Sequence, residues 1–221
     1  MLVNSLMPTN PKVSIVLPIH DMKDGAFFLW RAINSIMEQT LKDYEIIITK
    51  EGGMPMNTNA GIKKARGKYV KILFMDDYLA HPDALQKIWD EITKKDYKVD
   101  WLVSACNHDS DGHVHIPYWD FGLESWKEGL KQGKNTIGSP SILTMRRESA
   151  LLFDENLSWL LDCDLYLRLG EAGLKGCLLS DVNVTLGIHE GQTTNILSDD
   201  YKLSEQEYMQ KKYEESSINR S

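Results

Sequence analysis

The sequence predicts an α/β domain with a mostly parallel central sheet flanked by helices. Short apolar runs rich in β-branched residues alternate along the chain with segments whose apolar residues recur at helical spacing. That alternation builds a parallel sheet with helices on its faces. A length of 221 residues suits one such domain, and 42% hydrophobic with 26% charged residues is a globular composition.

Residues 12–18 (KVSIVLP) read as a buried strand. In 26–39 (AFFLWRAINSIMEQ), apolar residues at 29, 32, 33, 36 and 37 mark one face of a helix. Residues 44–49 (YEIIIT) form the next strand, 57–67 (NTNAGIKKARG) a helix that Gly67 ends, and 69–74 a third strand. Pro82 then opens a helix carrying Ala84, Leu85, Ile88 and Ile92, since proline suits a first turn. Residues 100–106 (DWLVSAC) return to strand, and 107–135 read as a loop-rich excursion. Strands at 141–147 and 177–188 are separated by a helix over 160–173, and 204–217 form a polar helix expected to pack weakly or swing free. The chain thus divides into an N-terminal tail (1–11), a single domain (12–195) and a polar C-terminal helix or tail (196–221).

A net charge of −7 and a pI near 5.4 argue against nucleic acid as the main partner, because phosphate binding needs a basic surface. No apolar stretch is long enough to span a bilayer, and the first ten residues lack the basic and apolar regions of a leader. Cys106, Cys163 and Cys177 are odd in number, without C-x-x-C spacing, which reads as reduced thiols in a cytoplasmic protein. His108, His113 and His115 cluster, but their carboxylate-poor, hairpin-like context argues against a structural zinc site.

Two carboxylate pairs carry the chemistry. Asp76 and Asp77 follow a strand directly, at the carboxyl end where open α/β sheets hold ligands, although a helix cap or solvated turn would use the same residues. Asp162 and Asp164 are two apart, about 200° around a helix, so only one of them can face a given site.

In order along the chain, "VSIVLPIHD", "SIMEQTLKDYEIII", "NAGIKKARGKYVKILFMDD", "HPDAL", "ILTMRRE" and "LLDCDLYLRLGEAG" resemble the family 2 glycosyltransferases of GT-A fold, over residues 12 to about 190. The resemblance implies an inverting enzyme, with one nucleotide-sugar-binding domain. It would move a sugar from a nucleotide-diphosphate donor to a hydroxyl of a glycan or other acceptor, as in polysaccharide biosynthesis, with Mn²⁺ or Mg²⁺. It also implies roles. Asp77 would hold the metal, with Asp76 on the ribose or sharing the metal, in a DxD element whose first acid is replaced by Phe74. Asp162 matches the general base, with Leu161 where a Glu usually precedes it. Pro18 and His20 border the nucleobase. Glu51 accepts from a ring N–H, which favours uracil and hence a UDP-sugar. Asn59 keeps its place in the donor pocket while Thr58 stands where an Arg often touches phosphate, and the loop at 52–56 is shortened. His189 completes the metal shell or touches the diphosphate, and Ser139 and Ser141 match an acceptor-side loop. Trp119, Trp126 and Trp159 suit either core or sugar stacking. The two missing acids and the short loop leave an alternative, a non-catalytic module that binds a sugar nucleotide or glycan.

Overall fold

The computed structural model describes residues 10–95, 98–120 and 122–218. Residues 1–9 of the expected tail lie outside them. β1 (Val13–Pro18) is buried along its whole length, as a continuous apolar run must be when both sheet faces are covered. It pairs in parallel with β2 (Tyr44–Thr49) on one side and β3 (Tyr69–Ile72) on the other. α1 (Gly25–Met37) and α2 (Met54–Lys64) make the two crossovers.

β4 (Tyr78–Leu79), α3 (Ala84–Thr93) and β5 (Trp101–His108) follow. The excursion after β5 contains β6 (Val114–His115), paired back onto β5, and α4 (Glu124–Lys131). It returns through a 3₁₀ turn at Pro140–Ile142 into β7 (Leu143–Arg146) without having crossed to the other end of the sheet. β7 must therefore run antiparallel, and it does so between β3 and β5. After α5 (Leu161–Glu171), β8 (Gly176–Leu186) lies parallel to β5, with the short β4 antiparallel at its outer side. The order is β2-β1-β3-β7-β5-β8-β4. The expected α/β fold is present, with a central sheet that is mixed: β7 runs antiparallel to β3 and β5, β6 to β5 and β4 to β8.

Two expected element boundaries are corrected. α2 starts three residues early, because Pro55 sits in its first turn, and it ends at Lys64, before Gly67. Gly67 serves close packing instead: a Cβ there would lie 2.5 Å from the backbone nitrogen of Ser14. The C-terminal helix is also no loose tail. After the short α6 (Thr193–Ile196), α7 (Asp199–Ile218) buries Met209, Tyr213 and Glu205 against the domain. Lys212 bridges Asp154 and the fully buried Asp164, and the Tyr213 hydroxyl donates to Asp164 at 2.9 Å. Few of its residues are apolar, so docking by ion pairs and capping leaves little periodicity in the sequence.

Candidate functional site

The carboxyl ends of β1 and β3 open onto a cleft of about 460 Å³. Pro18 and His20, from the end of β1, form one wall, with Gly53, Met54 and Asn57 from the start of α2 beside them. Asp76 and Asp77 lie at the end of β3, Ser139 and Pro140 on the returning loop, Asp162 on α5 and His189 after β8.

Asp76 and Asp77 point to different places. Asp76 faces the cleft, and its Oδ2 lies 3.0 Å from His189 Nε2. The Gly191 N–H donates to His189 Nδ1, which leaves Nε2 to carry the proton of the neutral ring and donate it to Asp76. The imidazole packs on Phe28, with ring centroids 5.0 Å apart. Asp77 is buried, its Oδ1 accepting from the Gly187 N–H at 2.9 Å, with Ser141 beside it. Burial and the adjacent Asp76 charge push its carboxyl up. Lys71, fully buried on β3, bonds the Ser141 carbonyl, and burial pulls its ammonium down to about 7 against the charge of Asp77.

A clamp holds this corner together. The Arg31 guanidinium donates to the Asp76 carbonyl at 2.5 Å and to the Asp109 carboxylate at 2.7 Å, while Asp109 accepts from the Ile188 N–H at 2.9 Å. Gly187 lies so close to the Asp76 turn that a Cβ on it would stand 2.2 Å from the Asp76 carbonyl oxygen.

Asp162 lies in the first turn of α5, partly exposed to the cleft. Its Oδ2 accepts from Asn135 Nδ2 at 2.8 Å and its Oδ1 from the Cys163 N–H at 2.7 Å. Burial raises its carboxyl to about 6, against the lowering effect of those two hydrogen bonds. A carboxylate so held can take a proton near neutral pH. Asp164, two residues on, points away to Arg168, Lys212 and Tyr213.

Asp76 and His189 are cleft residues of a kind that holds a divalent cation, and such an ion would take the place of the proton that His189 Nε2 donates to Asp76. Oxygen ligands from phosphate or water would fill the rest of its shell. Among the described residues no group of three or more His, Cys, Asp or Glu side chains is gathered as a metal site, the histidines of the excursion included.

Not every expected residue reaches the cleft. Glu51 is exposed at its rim, paired with Lys64 at 2.6 Å. Asn59 is buried on the far side of α2, where its amide bonds the Phe153 carbonyl and N–H and the Glu155 carboxylate. Ser141 is buried beneath the cleft, with its Oγ accepting from the Phe74 N–H. Trp119 packs on Trp101 and Trp126 is buried, its indole N–H on Thr136, whereas Trp159 lines the cleft. Asn57, Arg31 and Asn135 were missed. Asn57 ties the Ile19 carbonyl to the Glu51 N–H, and in the sequence it is one of two asparagines two residues apart, with nothing to rank them.

No protein-family model matches the chain. An uncharacterized glycosyltransferase of Rickettsia typhi is 28% identical over 226 residues, covering 84% of this chain and 67% of that protein. EpsJ of Bacillus subtilis, also an uncharacterized glycosyltransferase, is 24% identical, covering 92% and 68%. The structure of S. aureus TarS with UDP-GlcNAc superposes with a TM-score of 0.62 at 15% identity, over 85% of this chain. The chain is thus similar to glycosyltransferases and shares the fold of their solved structures. It spans 61% of the TarS chain. A mannosyltransferase from Pyrobaculum calidifontis, in complex with GDP-Man and Mn²⁺, superposes with a TM-score of 0.57 at 13% identity, covering 82% of this chain and 58% of that one. Among the described residues no helix is long and apolar enough to cross a membrane.

Proposed function

We propose that this chain is an inverting, metal-dependent glycosyltransferase of family 2 that uses a nucleotide-diphosphate sugar, with UDP as the first choice of nucleotide. One observation carries the reading: a single cleft is lined by both the Asp162 carboxylate, braced by Asn135, and the Asp76–His189 pair. UDP-GlcNAc in TarS and GDP-Man with Mn²⁺ in the Pyrobaculum enzyme support a nucleotide-sugar donor.

Asp162 takes the proton of the acceptor hydroxyl as its oxygen bonds to the anomeric carbon. The bond from that carbon to the diphosphate breaks, and its electron pair leaves with UDP. With the base on the face of the sugar away from the leaving group, the configuration would invert. A divalent cation bound by Asp76 and His189 would neutralise the charge growing on the diphosphate. Pro18 and His20 border the nucleobase, with Asn57 beside them. Glu51 reaches the base only by leaving Lys64, and Asn59 acts from behind the wall by holding α2. Asp77 supports Asp76 from beneath rather than facing the ion. A glycan hydroxyl is the acceptor that the Trp159-lined side suits.

The test is a panel of UDP-, GDP- and CDP-sugars with Mn²⁺, read by release of the nucleotide. Metal-dependent release from a UDP-sugar is expected. Binding of UDP without turnover of any donor would reduce the chain to a binding module.

A further inference from the structure

The helix that carries Asp162 begins without a cap of its own. Leu160 occupies the N-cap position of α5, and a leucine side chain has no atom that can accept from the free N–H groups there. Within the first turn the Cys163 N–H is met by Asp162 itself, and the turn leading into the helix is met from a distant part of the chain. Glu205 of α7, only 3% exposed, receives the backbone N–H of Ser158 at 2.6 Å, of Trp159 at 3.0 Å and of Leu160 at 2.8 Å. Three consecutive donors converge on one buried carboxylate. Two of these residues, Ser158 and Trp159, line the cleft together with Asp162, while Glu205 does not reach it. Further along, Lys212 and Tyr213 of α7 grip Asp164, so α5 is held both ahead of its first turn and within it.

We propose that Glu205 is a positioning residue for transfer: by fixing the Ser158–Trp159–Leu160 turn it sets the acceptor-side wall of the cleft and the aim of Asp162. This rests on the reading of Asp162 as the base. The donor side is built separately. Pro18, His20, Asp76 and His189 come from the ends of β1, β3 and β8, and none of them bonds Glu205. Loss of Glu205 should therefore separate chemistry from donor binding, which a general loss of stability would not do.

The experiment compares Glu205→Ala and Glu205→Gln with Tyr208→Phe. The last removes α7's hydroxyl bonds to Asp154 and Asn156 and leaves Glu205 in place. Three quantities are read: UDP affinity with Mn²⁺ by calorimetry, UDP release from the UDP-sugar that the wild type turns over fastest, and amide exchange across 157–167 by mass spectrometry. Glu205→Ala should lower turnover by about 10- to 10²-fold, as expected for a misplaced reacting group, with UDP affinity within about twofold. Glu205→Gln, which keeps one accepting oxygen, should fall between, and Tyr208→Phe should lose melting temperature but not turnover. Should Glu205→Ala fail to fold, the glutamine variant carries the same comparison. Wild-type turnover in a folded Glu205 variant would overturn the proposal, as would an equal loss of turnover in Tyr208→Phe. If the wild type releases no UDP from any donor, the transfer reading fails and exchange decides. Protection lost at 158–162 alone keeps Glu205 as the brace of that turn, and unchanged protection removes it.

Discussion

Asp162 carries a conflict between stability and chemistry. Its carboxyl stands at about 6, raised chiefly by burial, against about 3.9 for a free aspartate. The folded state therefore holds this proton more tightly than the unfolded chain does. Stability is gained as pH falls through the window from 6 to about 4 and lost as pH rises through it, by up to roughly 3 kcal/mol at neutral pH. Asp162→Asn should melt higher than the wild type at pH 7, with the difference closing near pH 4. Its turnover should fall by at least ~10²-fold, with UDP affinity unchanged. The wild-type rate should rise with pH to a plateau above about 6. An Asp162→Asn protein with normal turnover would remove the base assignment. Asp76 and Asp77 also divide by environment. Asp76→Ala should lose Mn²⁺-dependent UDP binding at nearly unchanged melting temperature. Asp77→Ala leaves the Gly187 N–H and the Lys71 ammonium buried without their carboxylate, and should cost about 3 kcal/mol in a denaturant titration. The opposite pattern would make Asp77 the ligand. From the sequence the two were adjacent acids after a strand. Which one turns inward depends on Gly187, 110 residues away, and no local spacing reports that.

At the scale of elements, legibility followed the source of each element's stability. β1 is an unbroken buried run, β2 is rich in β-branched residues and α1 buries Ala32 and Ile36 one turn apart. The extents of β1, β2, α1 and α5 were readable to within one or two residues. α7 was not readable as a docked helix, because what attaches it is polar. Asp154 shows this. Burial works against its charge, but hydrogen bonds from Lys212, Asn156 and Tyr208 outweigh it and hold the carboxyl well below the usual range. Lys212 is raised in turn by Asp154 and Asp164, although burial opposes that. The carboxylate's contribution is present above about pH 4 and is lost as pH falls toward the depressed value; the ammonium's is lost only above about pH 10. Amide exchange in α7 should thus accelerate sharply below about pH 3, before the central strands open. Lys212→Met should cost about 1–3 kcal/mol and abolish most of that acid sensitivity; an unchanged profile would place the anchor elsewhere. The direction of β7 was equally hidden, since an apolar run reads the same parallel or antiparallel.

Across the whole molecule, stability is unevenly distributed. Ile15, Val16, Ile72, Leu102 and Val103 are wholly buried in the middle of the sheet, whereas Ile48 on the edge strand β2 is half exposed and β4 has two residues. Amides of β1, β3 and β5 should exchange only through global unfolding, while those of β4 and the rim of the cleft exchange through local opening. A map in which β4 outlasts β1 would contradict this order. The cleft therefore sits on a firm floor with less protected edges. The reach of Glu205 adds a consequence in time. Its partners Ser158, Trp159 and Leu160 lie 45 to 47 positions earlier in the chain. On a ribosome adding about 5–20 residues each second, the start of α5 leaves the peptidyl centre roughly 2–9 s before its cap is made. The nascent protein holds the walls that would receive the nucleotide before it holds a finished base helix.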